Sequence, residues 1–361
     1  MKILAIETSC DDTGVSIMEV KKTTKGHVFK ILANNVNSQI KIHAEYGGVF
    51  PSLAKREHQI NLPIVLEKTL KDAKIKIEKI DMIAVTYGPG LEPALWTGIV
   101  FAKELSLKYN IPIVPVNHME GHIFSVFPQK GKTFTVKLDK KIFPMLSLLV
   151  SGGHTELILI KDWFKYKKIG QTRDDAAGEA FDKVARMMDL PYPGGPEISR
   201  LANEKRITNT PNDIILPRPM IYSKDYDFSF SGLKTAVLYL IRDLKLKDPK
   251  ILENDEIKKK IACEFENSVV ETLVHKTIKA IKEYKIKTLI VGGGVSANDY
   301  LQEIMLKKIT ENKLKVKAHF PSKSLTGDNA IMIGIAGYFE SQNRKPTKKL
   351  DSIRAQGNLS F

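Results

Sequence analysis

Cysteine is nearly absent from this chain: Cys10 and Cys263 are the only two in 361 residues. They lie far apart, offer neither a disulfide framework nor a cysteine-rich zinc site, and fit a reducing compartment. Long hydrophobic runs are missing too. No stretch of about 18 apolar residues occurs, so no membrane-spanning helix is expected. The opening Met1-Lys2-Ile3-Leu4-Ala5-Ile6 turns polar too soon for a signal peptide, and no Arg/Ser-rich transit segment precedes it. A cytoplasmic location is the expectation. Acidic residues are outnumbered, 41 against 56 Lys and Arg, for a net charge of +15. That excess suits a polyanionic partner, or reflects lysines that merely solvate helix faces, as in Glu256-Ile257-Lys258-Lys259-Lys260. Charge alone does not separate the two. With 43% apolar residues, the chain can build two domains or one large α/β body.

What is present is most informative at Val116-Asn117-His118-Met119-Glu120-Gly121-His122, after an apolar strand-like run from Ile111. On a helix, histidines four apart stack on one face and suit a single divalent metal. A zinc peptidase of the H-E-x-x-H kind needs its glutamate directly after the first histidine. Glu120 sits two residues on, about 200° around the helix from His118 at roughly 100° per residue. With Asn117 as N-cap, Glu120 instead completes a capping box. Spacing alone leaves a metal half-site or an ordinary histidine pair.

Strands are predicted over residues 2–7 and 14–20, flanking the polar turn Thr8-Ser9-Cys10-Asp11-Asp12-Thr13. Such a turn binds phosphate only if its N–H groups converge. The pattern recurs where strands 145–150 and 155–160 flank Ser151-Gly152-Gly153-His154. It recurs again where strand 288–291 runs through Gly292-Gly293-Gly294-Val295-Ser296-Ala297-Asn298 into a helix. Glycines there either admit a nucleotide or anion or simply make tight turns. Three such turns suggest an internal duplication, two α/β lobes with a nucleotide between them. Residues 128–144 break the pattern at the lobe boundary. Helices are expected over 176–190, stopped by Pro191-Tyr192-Pro193, and over 256–284 with a lysine-laced face. The tail beyond Gln342 is expected to be polar and mobile.

Together the motifs resemble the TsaD (Gcp/YgjD) family. The matching segments include Ile6-Glu7-Thr8-Ser9-Cys10-Asp11-Asp12-Thr13, Tyr87-Gly88-Pro89-Gly90-Leu91, His118-Met119-Glu120-Gly121-His122, Val150-Ser151-Gly152-Gly153-His154-Thr155, Gly178-Glu179-Ala180-Phe181-Asp182-Lys183, Phe228-Ser229-Phe230-Ser231-Gly232-Leu233-Lys234-Thr235, Gly293-Gly294-Val295-Ser296-Ala297-Asn298 and Gly327-Asp328-Asn329-Ala330. The chain departs from the family at Ser52, where an acidic residue is usual, and at Glu92-Pro93.

The resemblance implies an α/β chain of the ASKHA (actin-like ATPase) fold, with two duplicated lobes around a nucleotide cleft. The expected division is a first lobe over 1–140 with the metal histidines, a second over 141–340 with the nucleotide turns, and a tail over 341–361. It implies transfer of a threonylcarbamoyl group from threonylcarbamoyl-AMP to N6 of the adenosine 3′ of the anticodon in tRNAs reading ANN codons. This is formation of t6A, and AMP is released. The implied metal ligands are His118, His122 and Asp328, for one divalent ion per subunit, iron(II) first and zinc second. The implied substrate-binding residues are Leu149, Val150, Ser151, Gly152, Gly153, Asp182, Gly195 and Asn298. Asn298 has an alternative role capping the helix that follows it. Asp11 and Asp12 are the candidate catalytic carboxylates, against a turn-capping role. The implied partners are tRNA and the helper proteins TsaB and TsaE, in a bacterial cytoplasm. Lys55, Arg56 and Lys234 are then candidate tRNA-backbone contacts. An ASKHA kinase or ATPase, a metallopeptidase and a non-catalytic scaffold are the competing readings.

Overall fold

In the computed structural model, all residues except Lys25, Pro128 and Arg344 are described, with the side chain of Gln129 also left aside. The chain divides into two compact units: Met1–Asp139 together with Pro321–Phe361, and Lys140–Phe320.

The first unit begins with the antiparallel strands β1 (Lys2–Glu7), β2 (Asp12–Thr23) and β3 (Gly26–Ser38). Helices α1 (Ile40–Ala44) and α2 (Pro51–Ala73) lead to β4 (Met82–Gly88), which pairs parallel with β1. Helix α3 (Glu92–Tyr109) then crosses to β5 (Ile113–Asn117), parallel to β4, and α4 (His118–Phe124) follows directly. Strands β6 (Gln129–Lys130) and β7 (Thr133–Val136) extend the far edge, giving the order β5-β4-β1-β2-β3-β7-β6. Both faces of β1 are covered, so Ile3 to Ile6 form a continuous apolar run rather than an alternating one.

The second unit repeats this plan. Strands β8 (Met145–Val150), β9 (Thr155–Asp162) and β10 (Lys165–Gln171) are antiparallel. After α5 (Ala177–Met187), α6 (Gly194–Thr208), α7 (Ser231–Lys247) and α8 (Asp255–Glu283), strand β11 (Thr288–Gly292) pairs parallel with β8. Helix α9 (Asp299–Glu311) crosses to β12 (Lys317–His319), parallel to β11. The sheet order is β12-β11-β8-β9-β10, which is β5-β4-β1-β2-β3 over again in both connectivity and strand direction. Duplication, expected from the recurring turns, is thus present strand by strand.

The last segment departs from the expected lobes. Residues 321–340 were expected in the second lobe, but they return to the first unit, where α10 (Ala330–Asn343) lies on β1, β2, β4 and β5. The reason is steric and hydrophobic. Ala330 to Phe339 are all buried, so this helix needs cover all round. A Cβ on Gly337 would meet Ala84 Cβ at 2.6 Å, so only glycine allows this close approach to β4. The expected tail also differs from its reading. Thr347 exchanges hydrogen bonds with Ile113, Gln356 N–H donates to Tyr87 O, and Ile353 is buried in the core of the unit. The lysine-laced face of α8 holds one exception as well. Lys276 is fully buried, with Nζ donating to Ser223 Oγ at 2.5 Å and Asp225 O at 3.1 Å.

Candidate metal centre and nucleotide pocket

Asn117 ends β5 and caps α4, its Oδ1 accepting from Met119 N at 2.8 Å and Glu120 N at 3.3 Å. The cap fixes where the helix starts, and all seven of its residues are buried. His118 and His122 therefore share one face, with ring centroids 4.7 Å apart and edge to face. Asp328, just ahead of α10, meets them there. Its Oδ1 lies 3.3 Å from His118 Nε2 and 3.4 Å from His122 Nε2. One ligand atom from each of the three residues falls within a 4.8 Å cluster. Glu120 is buried and stands outside this group.

The donor set fits a divalent cation. Ligands about 2.1 Å from a tetrahedral ion stand roughly 3.4 Å apart, close to the separations found. Beyond the 3.4 Å approach of Asp328 Oδ1 to Nε2, neither ring nitrogen of buried His122 has a hydrogen-bond partner among the described residues, a need that a metal would satisfy on one side. Burial holds the His122 imidazole below its ordinary value, and a metal takes the neutral form. Burial works against the Asp328 carboxylate, yet the two histidines hold it well below the usual range, so it is anionic. Burial likewise opposes charge on His118, but Asp328 and Glu7 outweigh it and raise that imidazole well above its ordinary value. The site favours positive charge at this point.

Glu7 was not singled out from the sequence. Fully buried at the end of β1, it accepts from His118 Nδ1 at 3.1 Å, from Thr86 Oγ1 at 2.6 Å and from Ser9 N at 2.5 Å. A carboxylate on Nδ1 fixes the ring and turns Nε2 toward Asp328. The available signal was an acidic residue directly following the apolar run Ile3–Ile6. Glu7→Gln is expected to weaken divalent-metal affinity by about 10–100-fold while leaving the ligands in place. Titration with a metal indicator checks this, and unchanged affinity would remove Glu7 from the account.

In the same unit, Asp11 lies in the β1–β2 turn and Asp12 opens β2. Burial and the nearby Asp328 charge raise the Asp11 carboxyl, and burial lifts Asp12 to about 7. The Ser9 N–H of this turn is already taken by Glu7. Burial also pushes the Cys10 thiol well up, which makes it a poor nucleophile. Because Asp12 has a folded-state pKa above its unfolded value of about 3.9, the folded chain binds that proton more tightly. Its ionisation costs nothing below pH 4, costs progressively more as pH rises, and costs fully above about 7. Asp12→Asn should therefore stabilise the metal-free protein by about 2–4 kcal/mol at pH 8 and by almost nothing at pH 4. Urea unfolding at the two pH values measures the difference.

In the second unit, Gly152, Asp182, Gly195 and Asn298 line one cavity of about 620 Å³, a size that holds a nucleotide. Apart from the local backbone and chain neighbours, no atom of the described residues lies within 4 Å of where a Cβ would stand on Gly152, Gly153, Gly195 or Gly294, so a ligand can approach that backbone. Gly293, at φ +90°, passes so close to Val150 O that a side chain there is excluded. Leu149 and Val150 are strand residues whose side chains are fully buried, and Ser151 and Gly153 belong to the turn.

The N–H groups of Gly178 and Glu179 are taken by the carbonyls of Ser151 and Gly152. Asp182 accepts from Gly194 N at 2.8 Å, and so fixes the start of α6. Lys183 pairs with Asp175 and Glu179. Residues 292–298 run through a short 3-10 turn rather than directly into a helix. Asn298 takes the capping role, with Oδ1 accepting from Leu301 N at 2.7 Å and Nδ2 donating to Ser199 Oγ and Glu266 Oε1. Lys234 is paired with Asp175 at 2.8 Å.

The duplicated sheets define a protein of the actin-like ATPase fold, carrying a His-His-Asp group that could hold a metal ion. Solved structures agree on the fold. Full-length HypF in its phosphate- and nucleotide-bound form is similar with a TM-score of 0.56 at 13% identity, over 95% of this chain and 56% of that one. HypF of T. kodakarensis gives 0.53 at 13% identity, over 94% and 48%. The chain spans about half the length of either.

Residues 30–335 match the family model for TsaD, tRNA N6-adenosine threonylcarbamoyltransferase. Proteins of that name are 45% identical in Thermosipho africanus (94% of each chain), 47% in Dictyoglomus turgidum (94% and 93%) and 43% in Enterococcus faecalis (99% and 95%). The chain belongs to the tRNA N6-adenosine threonylcarbamoyltransferase family. Membership makes it a tRNA-modifying transferase, and the kinase and peptidase readings are not favoured. No helix among the described residues is long and apolar enough to cross a membrane.

Proposed function

We propose that the chain transfers the threonylcarbamoyl group of threonylcarbamoyl-adenylate to N6 of the adenosine 3′ of the anticodon in tRNAs reading ANN codons. The observation that carries this reading, beyond family membership, is the convergence of Gly152, Asp182, Gly195 and Asn298 on one nucleotide-sized cavity. The net charge of +15 fits a polyanionic acceptor.

In the reaction, N6 attacks the carbamoyl carbon, a C–N bond forms, and the C–O bond to the phosphate breaks. AMP departs with the electron pair, and N6 loses a proton. AMP is already a good leaving group, so the protein's share is positioning and charge stabilisation. The open glycine turns offer backbone to the phosphate, and Asp182 shapes the pocket by holding Gly194. Asp12, near 7, is better matched than an ordinary carboxylate to accept a proton at neutral pH. His118, His122 and Asp328 would hold iron(II), or zinc, with Glu7 orienting His118. Bound there, the ion supplies Lewis-acid polarisation.

The test is stoichiometric. With unmodified tRNA, TsaB, TsaE and threonylcarbamoyl-adenylate, one AMP should appear per threonylcarbamoyl group on tRNA. Donor-independent conversion of ATP to ADP, with no tRNA product, would support the kinase or ATPase reading instead.

A further inference from the structure

The cavity continues past the residues just named, along one face of α6: Ser199, Asn203 and Arg206, spaced i, i+4 and i+7, with Tyr300 of α9 beside them. Arg206 is held unusually firmly there. Its Nη1 donates to Glu266 Oε2 at 2.6 Å, its Nη2 donates to Asn267 Oδ1 at 2.8 Å, and its guanidinium lies 3.4 Å from the centre of the Tyr300 ring. Glu266 is buried at 1% exposure and is itself fixed by Asn298 Nδ2 at 2.6 Å. The Arg206 side chain keeps 23% of its surface exposed. Two of its five N–H groups are committed to Glu266 and Asn267 and one face lies on Tyr300, so the guanidinium plane is held in a fixed orientation at the cavity wall. The other face of such a fixed plane can stack on an aromatic base.

We propose that Arg206, locked by Glu266 and Asn267 and backed by Tyr300, is the stacking platform for the purine base of the nucleotide bound in this cavity. The proposal rests on the nucleotide reading above and adds the base-recognising wall to it. A role confined to neutralising Glu266 would affect every ligand alike. A platform affects only ligands that carry a base.

The test uses calorimetric titration of the full-length protein with AMP and with ribose 5-phosphate, which keeps the sugar and phosphate but has no base. The wild-type protein should bind AMP more tightly than ribose 5-phosphate. Arg206→Lys, which keeps the charge and loses the plane, should weaken AMP by about tenfold and leave ribose 5-phosphate unchanged. Tyr300→Leu, which leaves the Arg206–Glu266 pair intact, should weaken AMP in the same selective way and guards against misfolding of the arginine variant. Equal losses for both ligands, or an Arg206→Lys protein indistinguishable from wild type, would overturn the platform while leaving the nucleotide site standing. A wild-type protein that binds neither ligand would overturn the nucleotide reading and the platform with it.

Discussion

Replacing Asp328 with alanine is expected to abolish stoichiometric divalent-metal binding and to cut threonylcarbamoyl transfer by roughly 100-fold or more. Asp328 supplies the only carboxylate of the three-residue group, and its Oδ1 faces both Nε2 atoms at 3.3 and 3.4 Å. Two neutral imidazoles alone make a weak site for a hard or borderline cation. Without the carboxylate, His118 also loses the partner that contributes most to raising its basicity. Asp328→Asn preserves the shape and removes the charge, so it should fail in the same way. Metal analysis of the purified proteins, set beside their far-UV dichroism, separates loss of the ion from loss of the fold. Full metal occupancy in Asp328→Ala would show that the ion sits elsewhere.

A second large effect is expected from Gly337→Val. The first atom of any side chain at this position meets Ala84 Cβ at 2.6 Å and Val116 Cγ2 at 3.1 Å. Ala84 is fully buried in β4 and has no flexible end to move aside. Either α10 lifts from the sheet or β4 shifts, an overpacking cost of about 3 kcal/mol. For a unit of this size that lowers the melting temperature by roughly 6–10 °C. Ala84→Gly in the same chain removes the clashing atom and should recover a substantial part of the loss. Additive losses in the double variant would show that α10 does not depend on this approach. Because Asp328 enters α10 from its N-terminal side, the stability of this contact and the integrity of the metal group are linked in the fold.

Much of this architecture was legible in the residues. The hairpin strands and the long helix predicted over 256–284 emerge where periodicity placed them, the latter as Asp255–Glu283, whereas the helix expected over 176–190 ends at Met187, short of Pro191, with Asp189 left-handed beyond it. The recurrence of strand, turn and strand announced the duplication, because each copy must bury the same kind of sheet. Asn117 signalled the start of α4 through cap chemistry, and the histidine spacing signalled their shared face.

The rest was not local. Nothing within residues 321–361 says which sheet they cover; that is decided by the fit of an all-round apolar helix onto β1, β2, β4 and β5, hundreds of residues earlier. For the same reason, Asp328 joined the histidines only through resemblance and not through spacing. Lys276 looked like another solvated lysine. Its neighbours Leu273, Val274, Thr277 and Ile278 are all buried, and that core-facing position was the available signal. Asn298 was read as a ligand contact or a helix cap; it lines the cavity and caps α9, with its amide also bonded to Ser199 and Glu266.

The central claim for this chain is that it modifies tRNA. The most direct measurement is mass spectrometry of nucleosides from unmodified tRNA incubated with this protein, threonylcarbamoyl-adenylate, TsaB and TsaE. The expected result is N6-threonylcarbamoyladenosine in tRNAs reading ANN codons, present with the wild-type chain and lost with Asp328→Ala. Absence of that nucleoside under every metal condition, with the helpers present, would contradict it.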